Sequence, residues 1–507
     1  MNSLKSDFSE KLLLGLSILT FLTFLVLFVR MLGSYTAGLS ITETNMIYGV
    51  TRLLADLPLY IHPTQFPFYI TQYSPFFYYE CAFFGKIFGV SPDHTHDVHV
   101  LIRSVGLLNL MLVTLLGFLT LHKVFEVRKS LAFACSLLAL FTVSSIALAY
   151  NRVDGAELLF TTATLFFGSY FFKTKYLPWL VLATVCGVLS FFSKQSGMIA
   201  VAVVFGFLGY QKLWKILLIQ CSVAVLAFFI CLFIFVGLNW DSFFANIIGG
   251  VVNPIILREY YHSVIKYLFS SFHGSLLVVG LIVAYGNLFS SSIQKKFFAF
   301  ALFGLVGFDS VTSLKVGSSI HYFFDGFYLS WLILGIKTEQ ILLRNTFLLV
   351  KKQLLGMVSL FLVITGFVVL MELYLHYCGA DKVCSGAYFR EIEVADYLIY
   401  QEKLQPDAYV YVTYFVDSFV KQRLYQNTVC VENIVIFSSV VPLRVFDMTA
   451  LYQATETGKI KYIITRQGIL PGKEPFSDLP IDYGKMNFSK YHLYKTLNGH
   501  DIYRWEK

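Results

Sequence analysis

Four short polar clusters interrupt an otherwise apolar chain. They are Glu43, Asn151-Arg152-Val153-Asp154-Gly155, Ser193-Lys194-Gln195-Ser196-Gly197, and the stretch from Lys315 to Asp325 that carries His321 and Tyr322. Arg103, at the head of a further apolar block, is a fifth candidate. Ionisable groups at the edge of membrane-length segments are costly and mark functional sites by default. A carboxylate beside several cations suits group transfer from a phosphate. The carboxylate removes a proton from an incoming hydroxyl, and arginine and lysine stabilise charge on the departing phosphate. No GxGxxG and no P-loop is present to hold a soluble nucleotide. A lipid-borne phosphate donor, reached sideways from a bilayer, fits such a site.

Each residue alone has a plainer reading. Glu43 suits a helix N-terminus, and Arg152 with Asp154 makes an ordinary ion pair. Lys194 can snorkel to headgroups, Lys315 and His321 can be solvated, and Arg103 can anchor at an interface. The functional reading rests on their joint placement. Glu80, Asp93, His94, His96, Asp97 and His99 read as solvated, and the cluster at 93–99 resembles a metal site only loosely.

The elements that must hold these groups are membrane helices. Of 507 residues, 57% are hydrophobic and the mean hydropathy is +0.67. The apolar residues fall in blocks of about 18–22, the length that crosses a ~30 Å hydrocarbon layer. The expected spans are 12–32, 104–121, 130–149, 156–172, 176–192, 197–210, 216–237, 268–286, 297–309, 320–336 and 353–375. Leu12–Val29 is too long for a signal-peptide core and reads as a retained first span. One set of block ends is rich in lysine and arginine, including Lys123, Arg128, Lys129, Lys295, Lys296, Lys351 and Lys352. By the positive-inside rule that side is cytoplasmic, the N-terminus is inside and the tail is outside. The polar clusters then share the outer side. The net charge of +8 comes from the apolar part, because the tail from His376 holds 15 basic and 15 acidic residues. This is a topology signal and not one for nucleic acid.

The first outer loop, Gly33 to about Ile102, is long enough to be functional. Within it Met46, Val50, Leu53, Leu54 and Leu57 recur at helical spacing, with Thr42 as cap, and predict an amphipathic helix lying on the membrane surface. Pro58, Pro63 and Pro67 break the chain before a second apolar helix starts at Tyr73-Ser74-Pro75. The tail reads as a small α/β domain: a helix over 389–404, strands at 409–415 and 459–465, and a hairpin turned by Asn498-Gly499. Cys378 and Cys384 are close enough to bridge in an oxidising compartment. Asn487-Phe488-Ser489 is a glycosylation sequon, expected to be idle in a bacterial protein.

At these residues the chain resembles the GT-C membrane glycosyltransferases. The resemblance is to the bacterial branch akin to dolichyl-phosphate-mannose:protein mannosyltransferases and lipid A aminoarabinose transferases. The segment Thr42-Glu43-Thr44-Asn45-Met46-Ile47-Tyr48, continuing through Arg52 and Asp56 to Tyr60, looks like that family's acidic first-loop motif. Tyr73-Ser74-Pro75-Phe76-Phe77-Tyr78-Tyr79, closed by Phe88-Gly89, looks like its aromatic segment. Arg103-Ser104, Arg152-Val153-Asp154, Lys194-Gln195 and the run from Gly317 to Asp325 follow in the family order, so the resemblance covers residues 1–340. One departure is that Thr42-Glu43 stands where an acid pair is common, which puts a bound metal in doubt.

The resemblance implies a polytopic α-helical protein with about eleven transmembrane helices and a small extracytoplasmic α/β domain. The expected domains are 1–375, catalytic and containing the 33–102 loop, and 376–507. The expected activity is inverting transfer of a hexosyl or pentosyl group from a polyprenyl-phosphate-linked sugar to an envelope acceptor: lipid, protein or polysaccharide. Glu43 is the expected base and Asp154 a second catalytic acid. Arg152, Lys194, Lys315 and Arg103 are expected to bind phosphate. Tyr48, Tyr73, Gln195, His321, Tyr322 and Asp325 are expected to line the substrate cleft. No metal and no other cofactor is expected, and the place is the bacterial inner membrane. A lipid or polysaccharide transporter is disfavoured because ionisable groups crowd one side. A non-catalytic scaffold would leave those groups replaceable.

Overall fold

Where they are described, the apolar blocks expected to span fold as helices, one of them broken at Ser271, because backbone groups without water must bond within their own segment. The computed structural model describes residues 2–35, 43–144, 152–344, 348–375, 381–413, 418–429, 446–471 and 486–506. In chain order its first helices are α1 Asn2–Leu32, α2 Glu43–Leu54, α3 Phe76–Phe88, α4 Thr95–Leu119, α5 Lys129–Ser144 and α6 Asp154–Thr174. Next come α7 Leu177–Ser193, α8 Met198–Tyr210, α9 Trp214–Val236, α10 Trp240–Ile247, α11 Leu257–Tyr260, α12 Lys266–Ser270 and α13 Phe272–Leu288. The last are α14 Ile293–Thr312, α15 Phe324–Arg344, α16 Leu348–Leu373, α17 Asp381–Asp396, α18 Ser418–Arg423 and α19 Thr449–Thr457.

Among the described residues, four helical stretches are long and apolar enough to cross a membrane: Phe8–Leu32, Thr95–Val124, Trp214–Val236 and Leu349–Glu372. Leu257–Ser270 with Phe272–Leu288, bent by 74°, is a fifth candidate. The other expected spans are helices that are shorter or carry more charge. Lys129–Ser144, Leu177–Ser193 and Gln195–Tyr210 are apolar but short.

The chain divides into two compact units. The first comprises Met1–Leu32, Gly106–Leu232 and Ile255–Cys378. Here α1 packs on α5 and α16, α6 on α7, and α15 on α5 and α13. Helix α5 is buried on every side, as an apolar-all-round helix should be. One polar knot closes this bundle. Arg128 reaches both Glu339 oxygens from Nε, at 2.8 and 3.1 Å, and Glu10 from Nη1, linking α15 and α1.

The second unit comprises Gly33–Val105, Phe233–Pro254 and Gly379–Lys507. Its centre is a five-stranded sheet in the order β2-β1-β3-β5-β4. The strands are β1 Tyr409–Val412, β2 Thr428–Val429, β3 Ile460–Arg466, β4 Tyr491–Leu497 and β5 His500–Trp505. β1 is parallel to β2 and β3, while β5 runs antiparallel to β3 and β4. Alternation gives each face its own core. Val410, Val412, Tyr462, Ile464 and Ile502 pack with Val394 of α17 and Val420 of α18. Tyr411, Ile463 and Tyr503 pack with Leu451 of α19 and, from the first loop, Phe68. Asn498 and Gly499 take φ of 52° and 80°, the left-handed pair that a two-residue hairpin turn requires.

Three expectations change. Helix α2 forms where expected but ends at Leu54, and it has no water-facing side. Asn45, Thr51 and Arg52 are as buried as Met46 and Val50, because α3 and α18 pack against the helix. The acids and histidines at 93–99 are not all solvated. His99 is buried, with Nε2 2.9 Å from Gln422 Oε1, and Asp93 accepts from Arg423 at 2.8 Å. The first tail strand stops at Val412. The possible Cys378–Cys384 bridge and the Thr42 cap lie outside the described residues.

Candidate functional site

The site in the first unit starts from a helix N-terminus. Asp154 and Glu157 occupy the first turn of α6, where the helix dipole favours negative charge. Three residues apart, they stand on one face. The cation between them comes from the α7–α8 connection. There α7 ends at Ser193, Lys194 is extended, and Gln195–Gly197 form a single 3₁₀ turn before α8. Gly197 is required by close packing, since a Cβ there would lie 2.3 Å from the Ser190 carbonyl oxygen. This sharp turn aims Lys194 inward.

Lys194 Nζ lies 2.9 Å from Asp154 Oδ1 and 3.3 Å from Glu157 Oε2. Arg152 Nε is 3.3 Å from Asp154 Oδ2. Ser196 Oγ donates to Glu157 Oε1 at 2.7 Å. All four charged residues are buried. Burial by itself would push the Lys194 ammonium toward its neutral form. The Asp154 and Glu157 carboxylates outweigh that and hold it well above the usual lysine range.

The third segment is the lead-in to α15. Tyr322 lies in a 3₁₀ turn, Ile320–Phe323. Its ring has Lys194 Nζ 5.0 Å from the centroid and Lys315 Nζ 5.7 Å away. Among the described residues no carboxylate pairs with Lys315. An isolated antiparallel bridge to Ile255 fixes the Lys315 backbone. His321 is buried beside Tyr322, with ring centroids 4.9 Å apart, and its Nδ1 is hydrogen-bonded to Ser319 Oγ at 2.5 Å. It lies within the field of Arg152, Asp154, Lys194 and Lys315. Asp325 and Asp309, from α15 and α14, are buried within electrostatic reach of Glu157 and Lys194.

The structure therefore brings together Arg152, Asp154, Lys194, Lys315, His321, Tyr322 and Asp325 from three separate stretches. Gln195 opens the turn behind Lys194. The remaining candidates belong to the second unit. Glu43 begins α2. Arg103 is fully buried and donates from Nη1 to the Ser34 carbonyl at 2.9 Å. Tyr48 is fully buried, and its hydroxyl donates to the Tyr425 carbonyl at 3.0 Å. The Tyr73 carbonyl accepts from Tyr60 at 2.8 Å. Sequence reasoning gave Ser196 no role of its own and passed over Glu157 and Asp309. The spacing of Glu157 from Asp154 was a readable signal, as was an acid at 309 inside an apolar block. Among the described residues no group of three or more histidine, cysteine or acidic side chains could hold a metal ion.

Two lysines at an aromatic ring, one of them held by helix-terminal acids beside a buried arginine, can hold an anion of phosphate type. The fold around them has solved counterparts. The chain superposes on ArnT from Cupriavidus metallidurans with a TM-score of 0.60, at 12% identity, over 96% of this chain and 97% of that one. The same protein bound to undecaprenyl phosphate gives 0.58 at 12% identity, over 96% and 98%. The Archaeoglobus fulgidus oligosaccharyltransferase gives 0.55 at 13%, over 90% of this chain and 69% of that one. The chain has the GT-C fold. No family model and no curated protein matches its sequence. At 12–13% identity the likeness is one of architecture.

Proposed function

We propose that this protein is an inverting glycosyltransferase that moves a sugar from a polyprenyl-phosphate carrier to an acceptor hydroxyl on the outer face of the bacterial inner membrane. The observation that carries the reading is buried Lys194 and half-buried Lys315 at the Tyr322 ring, with buried Arg152 paired to the same Asp154 that holds Lys194. Two structural neighbours support it: one ArnT structure holds undecaprenyl phosphate, and the archaeal transferase AglB has been solved with a dolichol-phosphate. The topology proposed with it is about eleven spans, N-terminus inside and tail outside, from the positive-inside count.

In the proposed reaction Glu43 takes the acceptor hydroxyl proton. The acceptor oxygen forms a bond to the anomeric carbon from the face opposite the phosphate. The bond from that carbon to the phosphate oxygen breaks, and its electron pair leaves with the polyprenyl phosphate. Lys315 and Arg152 meet the charge that develops on the phosphate, and Lys194 adds to their field. Asp154 fixes Arg152 and Lys194. The chemistry as written uses no metal.

The test is sugar transfer from a polyprenyl-phosphate donor in reconstituted membranes. Glu43→Gln and Lys315→Gln are each expected to lower transfer by about 100-fold or more, and EDTA to leave it unchanged. Full transfer by Glu43→Gln would falsify the assignment of the base.

A further inference from the structure

The second unit contains a chain of contacts that runs from the core of the C-terminal sheet to the first turn of α2. Phe68, from the first loop, is fully buried in the core that holds Tyr411, Ile463 and Tyr503. Phe66 stacks near Tyr409 of β1 with centroids 4.4 Å apart, and Lys459 Nζ sits 3.8 Å over the Phe66 ring. The next residue after Phe68 is Tyr69, also fully buried. Its hydroxyl donates to the Asn45 carbonyl of α2 at 3.1 Å. Its ring meets the Tyr48 ring of α2 edge-on at 4.6 Å. From the other direction, Tyr48 donates to the Tyr425 carbonyl, just past α18, at 3.0 Å. Tyr48, Tyr69 and Tyr425 form one buried cluster. The loop behind Tyr69 is held as well: Thr71 N donates to Asn246 Oδ1 at 2.7 Å, and Asn246 Nδ2 donates to the Ile61 carbonyl at 2.8 Å.

Helix α2 begins at Glu43, two residues before Asn45 and five before Tyr48. A helix of 12 residues has little stability of its own in water. Its register and axis are set by what clamps it. Two tyrosine hydroxyls do so here, one from the loop buried in the sheet core and one reaching into the C-terminal segment. Each is buried, so each bond would leave an unpaired polar atom if the helix slid.

We propose that Tyr48 and Tyr69 are positioning residues: through them the C-terminal α/β domain sets the placement of the helix that begins at Glu43, and so the rate of transfer. This gives the tail a part in the reaction without contact with substrate. It rests on the reading of Glu43 as the base.

The experiment compares Tyr48→Phe, Tyr69→Phe and the double variant with the parent and with Glu43→Gln, as full chains in reconstituted membranes with a polyprenyl-phosphate sugar. Phenylalanine keeps the packing and removes one hydroxyl. Each single variant is expected to lose about 10-fold in kcat, because displacement of a reacting group by ~1 Å can cost up to 100-fold. The donor KM should stay within about two-fold, as expected when binding groups are untouched. Amide exchange over 45–51 should speed up in the same variants. Unchanged kcat in both singles, with Glu43→Gln inactive, overturns the positioning role alone. Reduced folded yield with unchanged kcat per folded molecule also overturns it, since that is what a purely structural bond would give. Full activity of Glu43→Gln removes the base assignment, and the proposal with it.

Discussion

The two units hold charge in different ways. In the helical unit Asp154, Glu157, Lys194 and Arg152 are buried together, each held by the others. In the sheet domain the two packed cores are apolar, Glu391, Lys421 and Asp501 are buried outside them, and other charge sits at the margin. There Glu402 accepts hydroxyls from Tyr397, Tyr462 and Tyr494 at 2.8, 3.0 and 2.8 Å near the surface. A buried ion group gains little net stability over an apolar one, yet losing one member is costly because the rest stay charged and dry. A marginal group costs little to lose. The first arrangement is what a site needs, and the second is what a fold can spare.

The largest expected effect follows from breaking the buried set. Lys194→Met should abolish measurable transfer and destabilise the helical unit by about 3–5 kcal/mol, because Asp154 and Glu157 lose their shared cation. The measurement is thermal or denaturant unfolding in detergent beside the transfer assay. The comparison is sharpened by Lys194→Met with Glu157→Gln. That pair should recover part of the stability and none of the activity, since Arg152 still serves Asp154. Equal instability in the single and double variants would show that packing, not charge, holds this region.

A smaller effect is expected in the sheet domain. Gly499→Ala puts a side chain where φ is 80° and should cost about 1 kcal/mol. Transfer should stay near the parent level at a temperature where both proteins are folded. An unchanged unfolding temperature would mean that the hairpin contributes nothing to the cooperative unit.

The smallest effect is one of pH. Burial by itself would raise the Glu402 carboxyl, but the Tyr494, Tyr397 and Tyr462 hydroxyls bond the charged form and bring it below the usual range. A carboxyl lowered on folding stabilises the protein above its unfolded pKa of about 4.3, and that contribution fades as pH falls through the folded value. Glu402→Gln should therefore unfold slightly more easily than the parent at pH 7, and the gap should close toward pH 3. A gap that widens in acid would overturn the sign.

Much of the helical frame was legible because its signal is local. The apolar blocks are helical where they are described, although the block at 268–286 is broken at Ser271, and the hairpin at Asn498-Gly499 forms as its turn chemistry requires. Helix α2 was found but its surroundings were not. Met46, Val50 and Leu53 announce a helix with one apolar side, whereas the packing of α3 and α18 that buries Thr51 and Arg52 is set by residues far along the chain. His99 was misread for the same reason, since its partner Gln422 lies 323 positions away.

The site divides in the same way. Sequence by itself determined that Arg152, Asp154, Lys194, Lys315 and His321 stand at the ends of apolar blocks, because a charge inside such a block is too costly to be common. It also placed them on one predicted side, through the lysine and arginine bias of the other. Only the tertiary structure decided that Lys194 pairs with both Asp154 and Glu157, and that two lysines meet at the Tyr322 ring. Those contacts join α6, the α7–α8 turn and the approach to α15. Their geometry depends on helix packing, which no short-range pattern encodes. The same holds for Tyr48, which is expected from the sequence to line the substrate cleft and is placed by the fold against the Tyr425 carbonyl.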